Sequence, residues 1–223
     1  MLRGAGRYVL SRPLLALLLA VDFTFIVIHV WLWSHGQPLG QFDVELDRSF
    51  PERFQYLKWL ISLLCCAYAA ARRRKPLYFA WMALFVYFLA DDSEQIHETM
   101  GSKITDVFGL TPAFALRAID FGELAVSLLA GTVLLGAIAL LYWRSADEPA
   151  RAFTRQLLPW LALLIASGIG LDMLHIQIAQ LYNNPLANML CGVLEDAGEM
   201  VAASGLTATV VGGTLPSTRQ NAA

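Results

Sequence analysis

Charge is scarce in this chain. Only 15% of its 223 residues are charged, with 16 Lys and Arg against 18 Asp and Glu. Soluble domains carry about 25%, so an ordinary water-exposed globular surface is excluded. A net charge of −2, with no basic run interleaved with aromatics, excludes a nucleic-acid partner. Cysteine is also sparse: Cys65 and Cys66 are adjacent and Cys191 stands alone. No CxxC spacing exists, which excludes a redox motif or a disulfide framework, and the three thiols read as small apolar residues.

What fills the chain is apolar: 57% of residues are hydrophobic and the mean hydropathy is +0.54. This predicts an all-α integral membrane protein forming a single domain over 1–223. Apolar runs near the roughly 20 residues that cross a bilayer lie at 13–33, 54–71, 77–98, 116–143, 157–182 and 190–212, predicting a bundle of six transmembrane helices. The first run, "PLLALLLAVDFTFIVIHVWLW", follows Arg3, Arg7 and Arg12 but ends in Trp31 and Trp33 rather than a cleavage site, so an uncleaved anchor is expected. Basic residues flank what become the inner loops: the three arginines before helix 1, "RRRK" at 72–75, and Arg144, Arg151 and Arg155. They predict a multi-pass protein of a bacterial inner membrane with both termini cytoplasmic. The outer segments are then 34–53, 99–115 and 183–189, and the first carries Asp43, Glu45, Asp47 and Glu52.

On this topology the ionisable residues gather at one depth, the outer half. They are His29; Asp91, Asp92, Glu94, His97 and Glu98 in "DDSEQIHE"; Asp120 and Glu123; Asp172 and His175; and Glu195, Asp196 and Glu199. Charges in hydrocarbon persist where they pair, bind a metal or line a wet cavity. Only Asp22 falls near mid-membrane, where pairing with Lys58 is one option. Lys58 itself is expected to snorkel outward, Arg117 to neutralise neighbouring acids, and Gly131, Gly136, Gly168, Gly170 and Gly205 to be close-packing positions.

At about 100° per residue, Glu94, His97 and Glu98 share one helix face, as do Asp172 and His175. "DFGEL" at 120–124 matches "DAGEM" at 196–200. His97 to His175 spans 78 positions and Glu123 to Glu199 spans 76. Hairpin repeats at 77–143 and 157–212 are therefore expected, with 13–71 as a weaker third. Parallel repeats would bring equivalent residues together at one height.

A Glu from each of two helices plus an acid-x-x-His from two others resembles the ligand set of ferritin-like di-iron and di-manganese bundles. The resemblance implies a metal site built from Glu94, His97, Glu123, Asp172, His175 and Glu199, with His29, Asp92, Glu98, Asp120, Glu195 and Asp196 as supporting or alternative ligands. It departs from that pattern in motif order and in having Asp172 where Glu is usual. The oxygen and nitrogen donors suit iron or manganese, with zinc as the alternative. Ser93-x-x-x-His97 is similar to the spacing in membrane hydrolases of the alkaline ceramidase type, which implies zinc and lipid hydrolysis, although their His-x-x-x-His is absent here. "DDSEQIHE" and "LDRSFPERFQYLKW" resemble an uncharacterised family of bacterial polytopic membrane proteins, which implies a multi-pass fold and no particular chemistry.

Three functions follow as expectations: a di-metal oxidoreductase acting on a lipid-like molecule, a zinc lipid hydrolase, and a cation transporter or channel. A surface that docks another protein is the fourth. The inner halves of the helices carry almost nothing ionisable, which favours a one-sided site over a through-path. Membrane lipid is the expected partner.

Overall fold

The computed structural model describes residues 8–182 and 184–215, so Arg3 and Arg7 of the orientation argument and residue 183 lie outside it. The described chain is all-α, as expected. Its elements are α1 Tyr8–Ser34, α2 Phe50–Arg73, α3 Pro76–Glu94, α4 Ile96–Phe108, α5 Ala118–Arg144, α6 Glu148–Ile165, α7 Asp172–Leu181 and α8 Pro185–Thr214. A π-helical turn, Ala166–Leu171, joins α6 and α7 into one continuous rod. Seven rods result, not six.

Local chemistry sets their ends. Proline in the first turn opens α2, α3, α6 and α8, where its missing N–H is no loss. The Asn184 side chain accepts hydrogen bonds from the N–H groups of Leu186 and Ala187, capping α8. Gln95, in the left-handed region at φ 51°, ends α3 and sends α4 off as a separate helix. The predicted helix over 77–98 is thereby split.

Four segments among the described residues are long and apolar enough to cross a membrane: Ser11–Ser34, Phe50–Arg73, Ala118–Arg144 and Glu148–Leu181. This corrects the expected six. The acids of α3 and α8 lower the apolarity of those helices, which instead pack among the others. α2 packs on α3, and α8 contacts α1, α2, α6 and α7. Small residues on α8, from Ala202 to Ala208, let its neighbours approach closely. A side chain at Gly205 would collide with the Trp160 ring.

The bundle end holding the 74–75 and 145–147 connections is densely filled. Trp81, Tyr78, Phe85, Leu157, Leu206 and Val210 are all fully buried there. Trp81 Nε1 donates to Thr154 Oγ1 at 3.0 Å, and Arg73 Nη2 donates to the Gly213 carbonyl at 3.1 Å. The other end is open, and the acids gather there.

Lys58 does not snorkel. It is fully buried, and its Nζ donates to Asp22 Oδ1 at 2.8 Å, to the Met200 carbonyl at 3.0 Å and to Ser204 Oγ at 3.3 Å. All three ammonium protons are used, so pairing replaces the reach to the surface. The polar knot ties α1, α2 and α8 together.

Candidate functional site

A cavity of about 1090 Å³ opens at the acidic end, walled by α2 to α8 and roofed partly by residues 44–47. Eleven carboxylates line it, against Arg117 and His97 as the basic groups. Toward the packed end the wall becomes mainly apolar, with Leu124, Leu128, Leu135, Leu161, Leu164 and Ile169 and only the Ser127 and Thr132 hydroxyls among them. One cavity thus has an acidic mouth and a hydrocarbon-like interior.

Of the six expected ligands, His97, Glu123, Asp172 and Glu199 line the cavity. His97 is within electrostatic reach of Glu123, Asp172 and Glu199, so four helices do converge. Glu94 does not join them: it is exposed, because the break at Gln95 ends the helical face it was to share with His97. His175 lies outside the cavity wall. Its Nδ1 is 2.9 Å from Glu195 Oε2 and its Nε2 is 3.2 Å from Asn188 Oδ1, so both ring nitrogens are engaged. Among the described residues, no three His, Cys, Asp or Glu side chains are grouped closely enough to hold a metal ion.

The supporting residues divide in the same way. Asp92, Glu98, Glu195 and Asp196 line the cavity. Asp92 accepts a 2.7 Å hydrogen bond from Trp59 Nε1. Asp120 is fully buried against Arg117, whose backbone N–H (2.6 Å), Nε (2.9 Å) and Nη2 (2.6 Å) all donate to it. That carboxylate caps α5, and Arg117 neutralises it as expected. His29 is buried beneath the α1–α2 loop, where its Nδ1 accepts from the Val44 N–H at 3.2 Å and lies 3.3 Å from Asp43 Oδ1. It holds the loop rather than the cavity. The equivalence of Asp120 with Asp196 therefore fails in role, while Glu123 and Glu199 both face the cavity.

His97, in the first turn of α4, begins that helix against Asp91. Its backbone N–H donates to Asp91 Oδ1 at 2.9 Å and its Nδ1 is 3.1 Å from Asp91 Oδ2. The Asp91 carboxylate, aided by Glu98 and Glu123 and opposed by burial, raises His97 to about 9. The imidazole is therefore a cation at neutral pH. On the α1–α2 loop, burial and then Asp43 push the Glu45 carboxyl up, while His175 pulls it back.

On α2 the weaker third repeat touches the wall only at Glu52 and Gln55, which stand 23 and 26 positions after His29 as Asp120 and Glu123 do after His97. Glu52, Gln55 and Trp59 recur at helical spacing on one face and all line the cavity, and that periodicity is readable once α2 is taken as a wall. The glycines also divide. Gly168 packs against the Glu199 side chain, whereas a Cβ at Gly131, Gly136 or Gly170 would meet nothing within 4 Å. Those three are not close-packing positions.

Residues 53–212 match the family described as Domain of unknown function (DUF8692). The chain belongs to that family. The matched range holds nearly the whole cavity wall and Lys58, while Asp22 and His29 on α1 lie before it. No curated protein and no solved structure matches the chain.

Proposed function

We propose that this is a multi-pass protein of the cell membrane, with both termini cytoplasmic, whose outward-facing cavity binds a cationic group carried by a lipid-like molecule. The observation that carries this reading is the division of one cavity into a mouth with eleven carboxylates and an apolar interior. Carboxylates crowded in a low-dielectric wall repel one another, and a bound cation relieves that repulsion. The interior is mainly apolar, with the Ser127 and Thr132 hydroxyls as its polar groups on α5, and suits hydrocarbon. Transport across the bilayer is disfavoured by the packed aromatic and aliphatic core at the opposite end.

The test compares two amphiphiles of equal chain length, an alkylamine and an alkyl sulfate, on protein held in nanodiscs. Ligand at 100 times its Kd stabilises a protein by about 2.7 kcal/mol, so the amine should raise the melting temperature and the sulfate should not. Equal shifts, or none with the amine, count against the reading.

A metal-dependent enzyme acting on such a molecule is the second reading. It is favoured by the arrival of Glu123, Asp172 and Glu199 from three helices at one cavity. Iron or manganese would use those oxygens, with His97 as the nitrogen donor once it releases its proton, whereas Glu94 and His175 do not fit. A zinc hydrolase would draw on the same wall and Asp92. Metal analysis of the purified protein separates these: two equivalents of iron or manganese, one of zinc, or none, the last removing this second reading.

A further inference from the structure

The cavity has a side opening. At the packed end α5 is pinned to α6, because Arg155 Nη1 donates to the Tyr142 hydroxyl at 3.3 Å and the Arg151 guanidinium lies 4.8 Å from the Tyr142 ring centre. At the acidic end Arg117 is within electrostatic reach of Asp172. Between these points α5 packs on α3 and α4 rather than on the α6–α7 rod. Leu128 on α5 and Ile165 on α6 both line the cavity, yet are 56% and 41% exposed. A slot therefore runs between the two helices at the depth of the hydrocarbon. Gly131 and Gly136 keep its α5 wall low. From Glu123 to Gly136 the slot extends about 20 Å at 1.5 Å per residue. One leaflet is about half of a roughly 30 Å hydrocarbon layer, so a whole lipid chain fits.

The head end has its own requirement. Gln55 is only 8% exposed, lines the cavity beside Trp59 and Glu52, and its Oε1 has no hydrogen-bond partner. A buried acceptor without a donor is costly; a flipped amide could turn its N–H₂ to an anion, but the eleven carboxylates of the same wall disfavour one. A primary ammonium brings three N–H donors, enough for Gln55 Oε1 and two carboxylates. A quaternary ammonium brings none, and a bare metal ion has no use for the slot.

We infer that the cavity takes a single-chain lipid amine, its primary ammonium against Gln55 and the carboxylates and its chain in the slot between α5 and α6, entering sideways from the outer leaflet. The inference rests on the cation reading above and adds the headgroup, the chain position and the route.

The experiment uses nanodisc-held protein and a long-chain primary alkylamine bearing a diazirine at its tail. Photolysis should place adducts on the facing walls, at Leu128, Leu135, Leu161 and Leu164, and a non-photoreactive amine of the same length should suppress them. Gly131→Leu with Gly136→Leu fills the slot where a Cβ meets nothing. Long-amine affinity should fall about tenfold, a 1.4 kcal/mol effect, while butylamine affinity and unliganded melting temperature are unchanged. Gln55→Met should weaken both amines and leave an alkyltrimethylammonium unaffected. Adducts elsewhere, or glycine variants that bind the long amine like wild type, overturn the slot while butylamine binding keeps the cation reading. Unchanged amine binding in Gln55→Met overturns the headgroup assignment. If neither amine binds, the cation reading fails with it.

Discussion

Lys58 Nζ and Asp22 Oδ1 meet at 2.8 Å with neither side chain reaching solvent, and Ser204 Oγ closes the group by donating to Asp22 Oδ2 at 2.5 Å. Each charge is tolerable in the bundle only because the other is there. Removing one partner of a buried pair typically costs 3–5 kcal/mol, whereas replacing both with apolar groups is often neutral. Lys58→Leu and Asp22→Leu should each lower stability by about that amount, and the double variant should recover most of it. A four-variant thermal unfolding cycle in detergent measures the coupling. Additive losses would show that the pair is not a unit.

Gly122 and Gly101 let α5 and α4 touch backbone to backbone. A Cβ at Gly101 would lie 2.6 Å from the Glu123 nitrogen and 2.9 Å from its Cα, and one at Gly122 would strike the Gly101 carbonyl. No flexible side chain can yield there. Gly122→Ala and Gly101→Ala should each cost about 1–3 kcal/mol, the usual range for overpacking, read as a lower melting temperature. Gly131→Ala, with open space around it, is the neutral control.

His97 gives the protein a pH dependence with a defined sign. Its value in the folded protein, about 9, lies above the ordinary 6.5. The stabilisation from its partner Asp91 is therefore complete below pH 6.5 and is lost as pH rises through about 9. Melting temperature should fall across that window in wild type. In Asp91→Asn the fall should be much shallower, because the first and largest cause of the raised value is gone. Equal slopes in the two proteins would assign the dependence to other groups.

The membrane character and the gathering of acids at one end were legible because both follow from composition and helical spacing. His97, Glu123, Asp172 and Glu199 do line one cavity, but the offsets of 78 and 76 positions paired His97 with His175 and said nothing of Asp172. Glu94 was misplaced by a single residue's backbone: Gln95 adopts φ 51°, a conformation that side-chain periodicity does not report. That His175 lies off the cavity wall was not legible, because its partners, Glu195 and Asn188, are on a different helix and no spacing rule links them. Asp120 looked like a ligand by its match to Asp196, yet Arg117, three residues before it, takes both of its oxygens. The open surroundings of Gly131 and Gly136 could not be read either, since a glycine that packs closely and one that leaves a gap are the same letter.

Glu123 and Glu199 decide between the two readings of the cavity. Each Glu→Gln keeps the shape and one acceptor oxygen while removing one carboxylate from a wall that carries ten others. If the cavity holds an exchangeable organic cation, the isolated protein gains from reduced repulsion, and both variants should melt at or above wild type while their stabilisation by alkylamine shrinks. If the carboxylates hold a resident metal, the charge is what keeps it bound. Both variants should then melt below metal-loaded wild type, and a chelator should bring wild type down to the same temperature. The predicted shifts differ in sign, so melting curves with and without chelator and amine separate the cases. Among the described residues no three His, Cys, Asp or Glu side chains are grouped closely enough to hold a metal ion, which leads us to expect the first result.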